Sequence, residues 1–281
     1  MSELMKIENV DFSYSDGKQA LTNVNMSVYA GEKLAVMGAN GAGKSTLFLN
    51  MNGILRPSAG QIFFDGVPVT YGRKGLIALR KKVGIVFQDP DNQIFASTVL
   101  GEISFGPLNL GMDKHIVQKQ AEKTADYLGI SDLLDKPPHY LSGGQKKLVS
   151  IADVLVMEPD IIIFDEPTAA LDPRNTKKFE NILTELARKG KTVILSSHDV
   201  DFAFEWADRV AVFAGSCLEM CDVPEKVFAD DVLLKRASLK KPAVMTIFEK
   251  LKGIGLFDEA ESCPKSMALL GEKIDCKRNG V

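Results

Sequence analysis

The sequence lacks the features of a membrane-spanning or disulfide-stapled protein. Its 281 residues contain no apolar run near the ~20 residues that cross a bilayer, and residues 1–6 hold no apolar core of signal-peptide length. The four cysteines form no C-x-x-C pair, and no histidine lies near them at a metal-ligand spacing. We therefore expect reduced thiols in a cytosolic protein, with any link to a membrane made through a partner.

The sequence also lacks a large excess of positive or negative charge. The 34 lysines and arginines against 37 acidic residues give a net charge of −3, which provides no basic footprint for nucleic acid. The hydrophobic share of 45% is enough to form a core without a metal or disulfide staple. A chain of this length predicts one domain of ordinary size plus something smaller.

One stretch, residues 38–45, reads G-x-x-x-x-G-K-S between an apolar strand pattern at 33–37 and a helical pattern after it. Glycines let backbone N–H groups turn toward phosphate oxygens, and a helix N-terminus adds unpaired N–H groups. This context predicts a phosphate cradle, with Lys44 on the β- and γ-phosphates and the Ser45 hydroxyl on Mg²⁺. The residues predicted to bind the phosphates are Gly38, Ala39, Asn40, Gly41, Ala42, Gly43, Lys44, Ser45 and Thr46.

Two residues outside this loop have more than one interpretation. Tyr14 ends an alternating strand pattern ahead of the loop, where its ring either stacks on a purine base or packs in the sheet. Gln88 follows the apolar strand pattern at 83–87. Ligands bind at the carboxyl ends of parallel strands, so Gln88 either reaches a metal or water there or simply begins a loop.

Residues 98–158 change to a helical pattern in which no strand is predicted. We expect a helix at 98–103, a break at 105–111 and an amphipathic helix at 113–128. Residues 141–145, Leu-Ser-Gly-Gly-Gln, then open another helix. A Ser hydroxyl and paired glycines at a helix N-terminus predict a second anion site in the same chain.

A fully apolar strand pattern at 161–164 runs into Asp165 and Glu166. Together with a phosphate loop, this pair fits phosphoryl transfer, with Asp165 supporting Mg²⁺ and Glu166 polarising the attacking water. His198 ends the next buried strand, at 192–197, and can bond a terminal phosphate oxygen or the water. A solvated histidine is the alternative, but the shared sheet edge favours the functional role. Asp172 adds a carboxylate in the loop after Glu166.

The end of the chain predicts a small amphipathic helix at 242–251 that docks either on its own domain or on another subunit. From Cys263 onward the sequence is polar, and we expect loose order there.

Taken in order, these features resemble the ATP-binding subunit of ABC transporters. The pentapeptide at 141–145 is the specific part, because other phosphate-loop proteins lack it, and the resemblance covers about residues 5–230. It implies an α/β P-loop NTPase core of the RecA-like kind with an N-terminal antiparallel β subdomain. It also implies an ABC-type helical subdomain at about 98–158 and a small C-terminal helical extension.

The resemblance further implies a head-to-tail dimer with a second ATPase subunit, identical or paralogous. Two ATP molecules would lie between the phosphate loop of one subunit and Ser142, Gly143, Gly144 and Gln145 of the other. On this carry-over Tyr14 matches the adenine-stacking aromatic. Gln88 matches the loop that senses Mg²⁺ and the membrane partner, and Glu166 matches the catalytic base. Asp172 matches the loop that couples the two sites, and His198 matches the switch histidine.

A finer resemblance, carried by residues 87–93, 105–111 and 242–251, is to the energy-coupling-factor group, which includes the cobalt importer ATPases called CbiO. It implies an ATP-binding domain at 5–240 and a C-terminal dimerisation module at 241–281. The expected function is ATP hydrolysis with Mg²⁺ that powers uptake of cobalt or nickel. The expected partners are an integral membrane energy-coupling subunit and a substrate-binding membrane subunit, so the chain would be peripheral on the cytoplasmic face.

Two residues depart from the family pattern: Leu148, where arginine is usual, and Asp153, where a small residue is common. Both lie beyond the atoms expected to face phosphate, so they put local packing in doubt and leave ATP binding intact. A vitamin importer ATPase remains an alternative, and a soluble non-transport ABC ATPase is a more distant one.

Overall fold

Two β-sheets organise the chain in the computed structural model, which describes residues 2–169, 171–258 and 260–278. Within those residues the strands are β1 (Glu3–Ser13), β2 (Gln19–Tyr29), β3 (Lys33–Gly38), β4 (Ala59–Phe64), β5 (Val67–Pro68), β6 (Val83–Val86), β7 (Ile161–Phe164), β8 (Thr192–Ser196), β9 (Arg209–Ala214) and β10 (Cys217–Asp222). The helices are α1 (Lys44–Met51), α2 (Arg73–Lys82), α3 (Val99–Asn109), α4 (Lys114–Leu128), α5 (Gly143–Leu155), α6 (Pro173–Arg188), α7 (Val200–Trp206), α8 (Pro224–Ala229), α9 (Asp231–Arg236), α10 (Ala243–Gly253) and α11 (Met267–Arg278).

The first sheet is antiparallel, in the order β2-β1-β4-β5, and its alternating burial follows the predicted pattern. A register shift between Ile7 and Val10 accompanies a left-handed backbone at Asn9, where φ is 48°. This bulge lets Met5 and Ile7 before it, and Val10 after it, all point into the core. The predicted N-terminal antiparallel sheet is therefore confirmed.

The second sheet has the order β10-β9-β3-β8-β7-β6, in which β9, β3, β8, β7 and β6 run parallel. Strands β6, β7 and β8 are buried along their whole length, as their continuous apolar sequences predict for parallel strands that are covered on both faces. Parallel strands present their carboxyl ends at one edge. The segments that follow Gly38, Val86, Phe164 and Ser196 consequently meet at that edge.

Helices α3, α4 and α5 fill the segment between β6 and β7, which contains no strand, so the predicted helical region is confirmed in type. The predicted break at 105–111 is wrong, because α3 continues to Asn109 with Pro107 inside it. Val99, Ile103 and Pro107 are buried at a spacing of four residues on one face. We attribute the continuation to this packing, which compensates for the single backbone hydrogen bond that proline removes near the helix end.

Helix α2 and strand β10 were not predicted from the sequence. Helix α2 spans ten residues, buries only Leu79 and carries three basic residues in its last turn, so its buried face is small. Strand β10 pairs antiparallel with β9 at the sheet edge and is partly exposed along its whole length. Both elements are defined by tertiary context, which a local pattern does not contain.

The C-terminal helices dock on the chain's own domain. Helix α10 confirms the predicted amphipathic helix, and Val244, Met245 and Phe248 join the core that also contains Phe204. The expectation of loose order from Cys263 onward is wrong for the described part, because α11 forms and Leu270 is only 1% exposed. Leu270, with the partly buried Ile274, anchors this polar helix on the core, while residues 279–281 lie outside the described residues.

Across residues 2–169, 171–258 and 260–278, the structure contains no helix with the length and apolar character needed to span a bilayer.

Candidate nucleotide site

The phosphate loop connects the end of β3 to the start of α1, as predicted. Gly38 and Gly43 have φ values of 142° and 108°, in a region that side chains rarely adopt. A Cβ at Gly38 would lie 2.2 Å from the carbonyl oxygen of Phe213, and one at Gly43 would lie 2.4 Å from that of Ala20. Gly43 caps α1 without a side-chain hydrogen bond, so the first N–H groups of the helix are left for an anion.

Lys44 is buried at the base of this loop. Its Nζ donates to the carbonyl oxygens of Gly38 at 2.9 Å and Ala39 at 3.1 Å, and lies 3.8 Å from Glu166 Oε1. Burial lowers the pKa of the Lys44 ammonium, while the carboxylates of Glu166 and Asp165 oppose that shift. A phosphate would therefore meet a desolvated positive charge that already has a negatively charged neighbour.

Asp165 and Glu166 follow β7 and share one hydroxyl. Ser196 Oγ, at the end of β8, donates to Asp165 Oδ1 at 2.7 Å and accepts from the Glu166 N–H at 2.8 Å. Glu166 has a φ of 41°, which is unusual for a residue with a side chain. Strained backbone of this kind is concentrated at functional sites, and here two strand ends hold it in place.

Glu166 is the point where the predicted catalytic residues meet. Gln88 Nε2 donates to its Oε2 at 3.2 Å, and His198 Nε2 lies 2.8 Å from its Oε1, with the donor set by the histidine tautomer. Lys44 approaches the same Oε1. Four residues from four different segments thus converge beside the phosphate loop, because the parallel strands β3, β6, β7 and β8 end at one edge.

Tyr14 lies just beyond β1 at the mouth of the same site. Its hydroxyl is 2.9 Å from Thr46 Oγ1, and its ring packs edge-on against Phe12 at 5.1 Å. The side chain is 39% exposed, so it is not enclosed in the sheet. This placement leaves ring surface accessible next to the phosphate loop.

A cavity of about 370 Å³ occupies this edge of the sheet. Its lining contains nine of the predicted residues: Tyr14, Asn40, Gly41, Gly43, Lys44, Ser45, Thr46, Gln88 and Glu166. Lys18 and Ala20 also line it and were not predicted. The Tyr14 N–H donates to the Lys18 carbonyl at 3.0 Å, so the two residues close one turn. A basic residue in the turn after Tyr14 was the sequence feature that could have indicated Lys18 as part of the site.

The pentapeptide at 141–145 leads into the N-terminus of α5 and does not line this cavity; Ser142 and Gly143 are exposed, whereas Leu141 is buried. Ser142 Oγ accepts from the Gln145 N–H at 3.3 Å, and Gln145 Oε1 accepts from the Ser142 N–H at 3.0 Å, which makes a capping box. Gly143 and Gly144 complete the first turn of α5. The structure therefore does not bring these residues together with the phosphate loop of the same chain.

Asp172 caps α6, where it accepts from the Asn175 N–H at 2.9 Å and from Asn175 Nδ2 at 2.7 Å. These bonds lower the pKa of the Asp172 carboxyl. A Cβ at Gly144 would lie 2.8 Å from Asn175 Nδ2, so the loop of Asp172 sits directly against the start of α5.

The two departures from the family pattern have different surroundings. Leu148 packs against the main core, so the position has an apolar role here. Asp153 Oδ2 accepts from Gln93 Nε2 at 3.3 Å, while its buried Oδ1 has no hydrogen-bond partner. Burial, together with the nearby Glu102, raises the pKa of Asp153 well above its ordinary value.

Comparisons with known proteins agree with this geometry. A profile of the ABC transporter family matches residues 21–169. The energy-coupling factor transporter ATP-binding protein EcfA of Methanothermobacter thermautotrophicus is 44% identical over 252 residues, which span 90% of this chain and 81% of that protein. The structure of cbiO1 from Clostridium perfringens, described as part of the ABC transporter complex cbiONQ, superposes with a TM-score of 0.73 at 42% identity, covering 89% of this chain and 100% of that one. A dimeric post-hydrolysis state of the ATP-binding cassette MJ0796, bound to ADP and Pi, gives a TM-score of 0.71 at 29% identity, covering 79% and 99%.

Proposed function

The chain belongs to the ABC transporter family, in the energy-coupling-factor group of ATP-binding subunits, and we propose that it powers uptake of a transition metal ion, cobalt or nickel. Its activity is hydrolysis of ATP. The observation that carries the proposed site is the meeting of Lys44, Gln88, Glu166 and His198 beside the phosphate loop. The metal as substrate is supported by the similarity to cbiO1, because CbiO proteins are the cobalt importer ATPases of the energy-coupling-factor group.

In this proposal the phosphate loop and Lys44 hold the β- and γ-phosphates. The ammonium of Lys44 now donates to two loop carbonyls, and phosphate oxygens are stronger acceptors for a charged donor than carbonyls are. Tyr14 stacks on the adenine, since its exposed ring lies at the mouth of the same cavity. Binding therefore uses backbone N–H groups for the phosphates and one aromatic for the base.

Glu166 acts as the general base. Water attacks the γ-phosphorus and forms one P–O bond, the bond to the β–γ bridging oxygen breaks, and Glu166 accepts the water proton. Gln88 and His198 fix the two carboxylate oxygens through the contacts of 3.2 Å and 2.8 Å. A carboxylate held at both oxygens is already oriented before the reaction, which favours a defined position for the attacking water.

The residues at this edge fit a magnesium ion. Mg²⁺ usually takes one or two carboxylates together with substrate phosphates, and among the described residues there is no cluster of three or more His, Cys, Asp or Glu side chains that would suit a dedicated cage. Ser45, Gln88 and Asp165 would hold the ion, since the Gln88 amide nitrogen is already used on Glu166 and leaves its oxygen as the ligand atom. When bound, Mg²⁺ neutralises charge on the phosphates.

A second ATPase subunit, identical or paralogous, completes the site in the proposal. Ser142, Gly143, Gly144 and Gln145 lie outside the cavity of their own chain and are accessible to a partner's γ-phosphate. Asp172 sits next to this surface and would couple the two sites. The dimeric cassette MJ0796 is a precedent for such an assembly.

The partner at the membrane is proposed to contact α3 and the Gln88 loop. Phe95 is 64% exposed and packs edge-on against Phe105 at 4.6 Å, and Leu108 is exposed on the same helix as Phe105. Exposed aromatic and aliphatic side chains next to one another are typical of interaction sites. We place the chain on the cytoplasmic face, bound to an energy-coupling subunit and, through it, to a substrate-binding subunit.

We also propose the division into an ATP-binding domain at 5–240, with its helical subdomain at about 98–158, and a dimerisation module at 241–281. Ile247 and Ile254 are exposed on and just after α10, which supports a contact with a second copy. The soluble, non-transport alternative is wrong, because the relatives at this level of identity are transporter ATP-binding proteins. Vitamin uptake remains the second candidate, because the name of the relative EcfA specifies the energy-coupling factor transporter and no metal.

The test purifies the tagged full chain from detergent-solubilised membranes of its source cell and identifies the integral membrane proteins that copurify. The complex is then placed in lipid vesicles, and ATP-dependent uptake of radioactive cobalt, nickel and vitamins is measured against the same complex carrying Glu166→Gln. Cobalt or nickel uptake by the parent alone supports the proposal. Vitamin uptake replaces the substrate, and absence of any membrane partner overturns the transport role.

A further inference from the structure

Helix α5 is attached to the loop at residues 87–93 at three successive levels. Lys146 Nζ pairs with Asp91 Oδ1 at 2.6 Å, and Gln93 Nε2 donates to the Ser150 carbonyl at 2.8 Å. Between them, Lys147 Nζ donates to the carbonyl oxygens of Phe87 at 2.7 Å and Gln88 at 2.9 Å. The last contact holds the backbone of Gln88 itself.

Lys147 is a charged residue in a buried position. The side chain is only 4% exposed, and a buried ammonium is costly unless hydrogen bonds satisfy it. Its two acceptors are carbonyls of a loop that lies 59 and 60 residues away in the sequence. Filling the space would require only an apolar side chain, so the charged group indicates a specific tether between α5 and this loop.

The tether joins two parts of the proposed site. Lys147 lies one helical turn beyond Gly143 and Gly144, at the end of α5 that would face the partner's nucleotide. At its other end, the anchored Gln88 donates its side-chain amide to Glu166 at 3.2 Å. Any displacement of α5 is therefore passed to Gln88 through two hydrogen bonds and from Gln88 to Glu166 through one.

We propose that Lys147 is a positioning residue that fixes Gln88 relative to α5, so that binding of nucleotide at the 142–145 surface sets the position of Glu166 in the chain's own site. This inference rests on the proposed head-to-tail dimer and deepens it. Lys147 touches neither nucleotide, and its effect passes through the Gln88 backbone.

The test compares Lys147→Met, which keeps side-chain length without the charge, with the parent in the assembled transporter. We expect kcat to fall about 10- to 100-fold through misplacement of Gln88, with the KM for ATP within twofold because the phosphate loop and Tyr14 are untouched. Cooperativity with respect to ATP should also decrease, since Lys147 links the two sites. Lys191→Met is the matched control, because Lys191 Nζ also donates to two carbonyls, at 3.0 and 2.8 Å, away from the site.

A double-variant cycle separates positioning from general stability. If Lys147 acts through Gln88, Gln88→Ala with Lys147→Met should be no slower than Gln88→Ala alone. Additive losses, or unchanged kcat and cooperativity in Lys147→Met, overturn the inference. Lys147→Gln is measured in the same way if the Met variant does not fold. A parent without ATPase activity or transport would instead refute the proposed function.

Discussion

Replacement of Glu166 by Gln should separate ATP binding from ATP turnover. The amide is nearly isosteric and can keep the local contacts: its oxygen can accept from Gln88 Nε2, and its NH₂ group can donate to the other tautomer of His198. The substitution therefore removes basicity and negative charge with little change in shape. Both losses act on the chemical step, and only the charge acts on binding.

The expected loss in kcat is about 10²- to 10⁴-fold, the usual contribution of a positioned general base. The affinity for ATP should rise. Glu166 Oε1 lies 3.8 Å from Lys44 Nζ, so the carboxylate both competes for the ammonium and repels the phosphates. This side chain is mostly but not fully buried, and after solvent screening we take the interaction as about 1 kcal/mol, or about fivefold in Kd.

The assay measures phosphate release in a single turnover and, separately, equilibrium binding of ATP in the presence of Mg²⁺. Glu158→Gln is the matched control, because Glu158 has a left-handed backbone with φ of 49°, close to the 41° of Glu166, but lies before β7, away from the cavity. Phosphate release at the parental rate in Glu166→Gln would refute the catalytic assignment. Weaker ATP binding would refute the electrostatic argument.

Three further predictions concern base binding, the phosphate loop and Asp153. Tyr14→Ala should weaken ATP binding by about 1–3 kcal/mol through lost stacking. Tyr14→Phe loses only the hydroxyl contact with Thr46 and should cost less than about 1 kcal/mol. A binding titration in which Tyr14→Ala and the parent bind ATP equally well would mean that Tyr14 only packs on Phe12. Gly38→Ala should lower the thermal unfolding temperature sharply, because its Cβ would lie 2.2 Å from the Phe213 oxygen, while Gly143→Ala, with open space around its Cβ, should leave it nearly unchanged; similar temperatures would contradict the steric argument. Burial raises the pKa of Asp153, so the carboxyl group loses its proton at a lower pH in the unfolded state than in the folded state. The parent should therefore lose stability relative to Asp153→Asn as pH rises, by up to about 1.4 kcal/mol per pH unit above the ordinary Asp range. Urea unfolding at pH 5 and pH 7 measures this, and an equal difference in the free energy of unfolding at both pH values would mean that the pKa of Asp153 is not raised.

The parts of the site that follow from the sequence are those fixed by chain topology. A buried apolar strand that ends in a polar residue places that residue at the functional edge wherever the strand lies in a parallel sheet. Gln88, Glu166 and His198 therefore meet although no local pattern relates one to another. The role of Lys147 could not be predicted in this way, because its burial depends on where residues 87–93 fold and not on its neighbours in α5.

The two misjudged elements depend on tertiary contacts. Pro107 suggests a helix break, but its ring belongs to the buried face of α3 and the helix continues. The polar composition of α11 suggests loose order, but Leu270 anchors it in the core. In both cases burial of apolar side chains outweighs a local tendency, and only the folded arrangement identifies which side chains are buried.

Helix α5 is braced against the Gln88 loop and the start of α6. Lys147 ties it to the Gln88 loop after β6, and Gly144 packs against Asn175 in the first turn of α6, the helix that Asp172 caps. The Gln88 loop reaches Glu166 through the Gln88 side chain. A rigid shift of α5 would therefore alter the surroundings of Glu166 through Gln88. In the proposed head-to-tail dimer, occupancy of the 142–145 surface by the partner's nucleotide would then affect hydrolysis in the chain's own site.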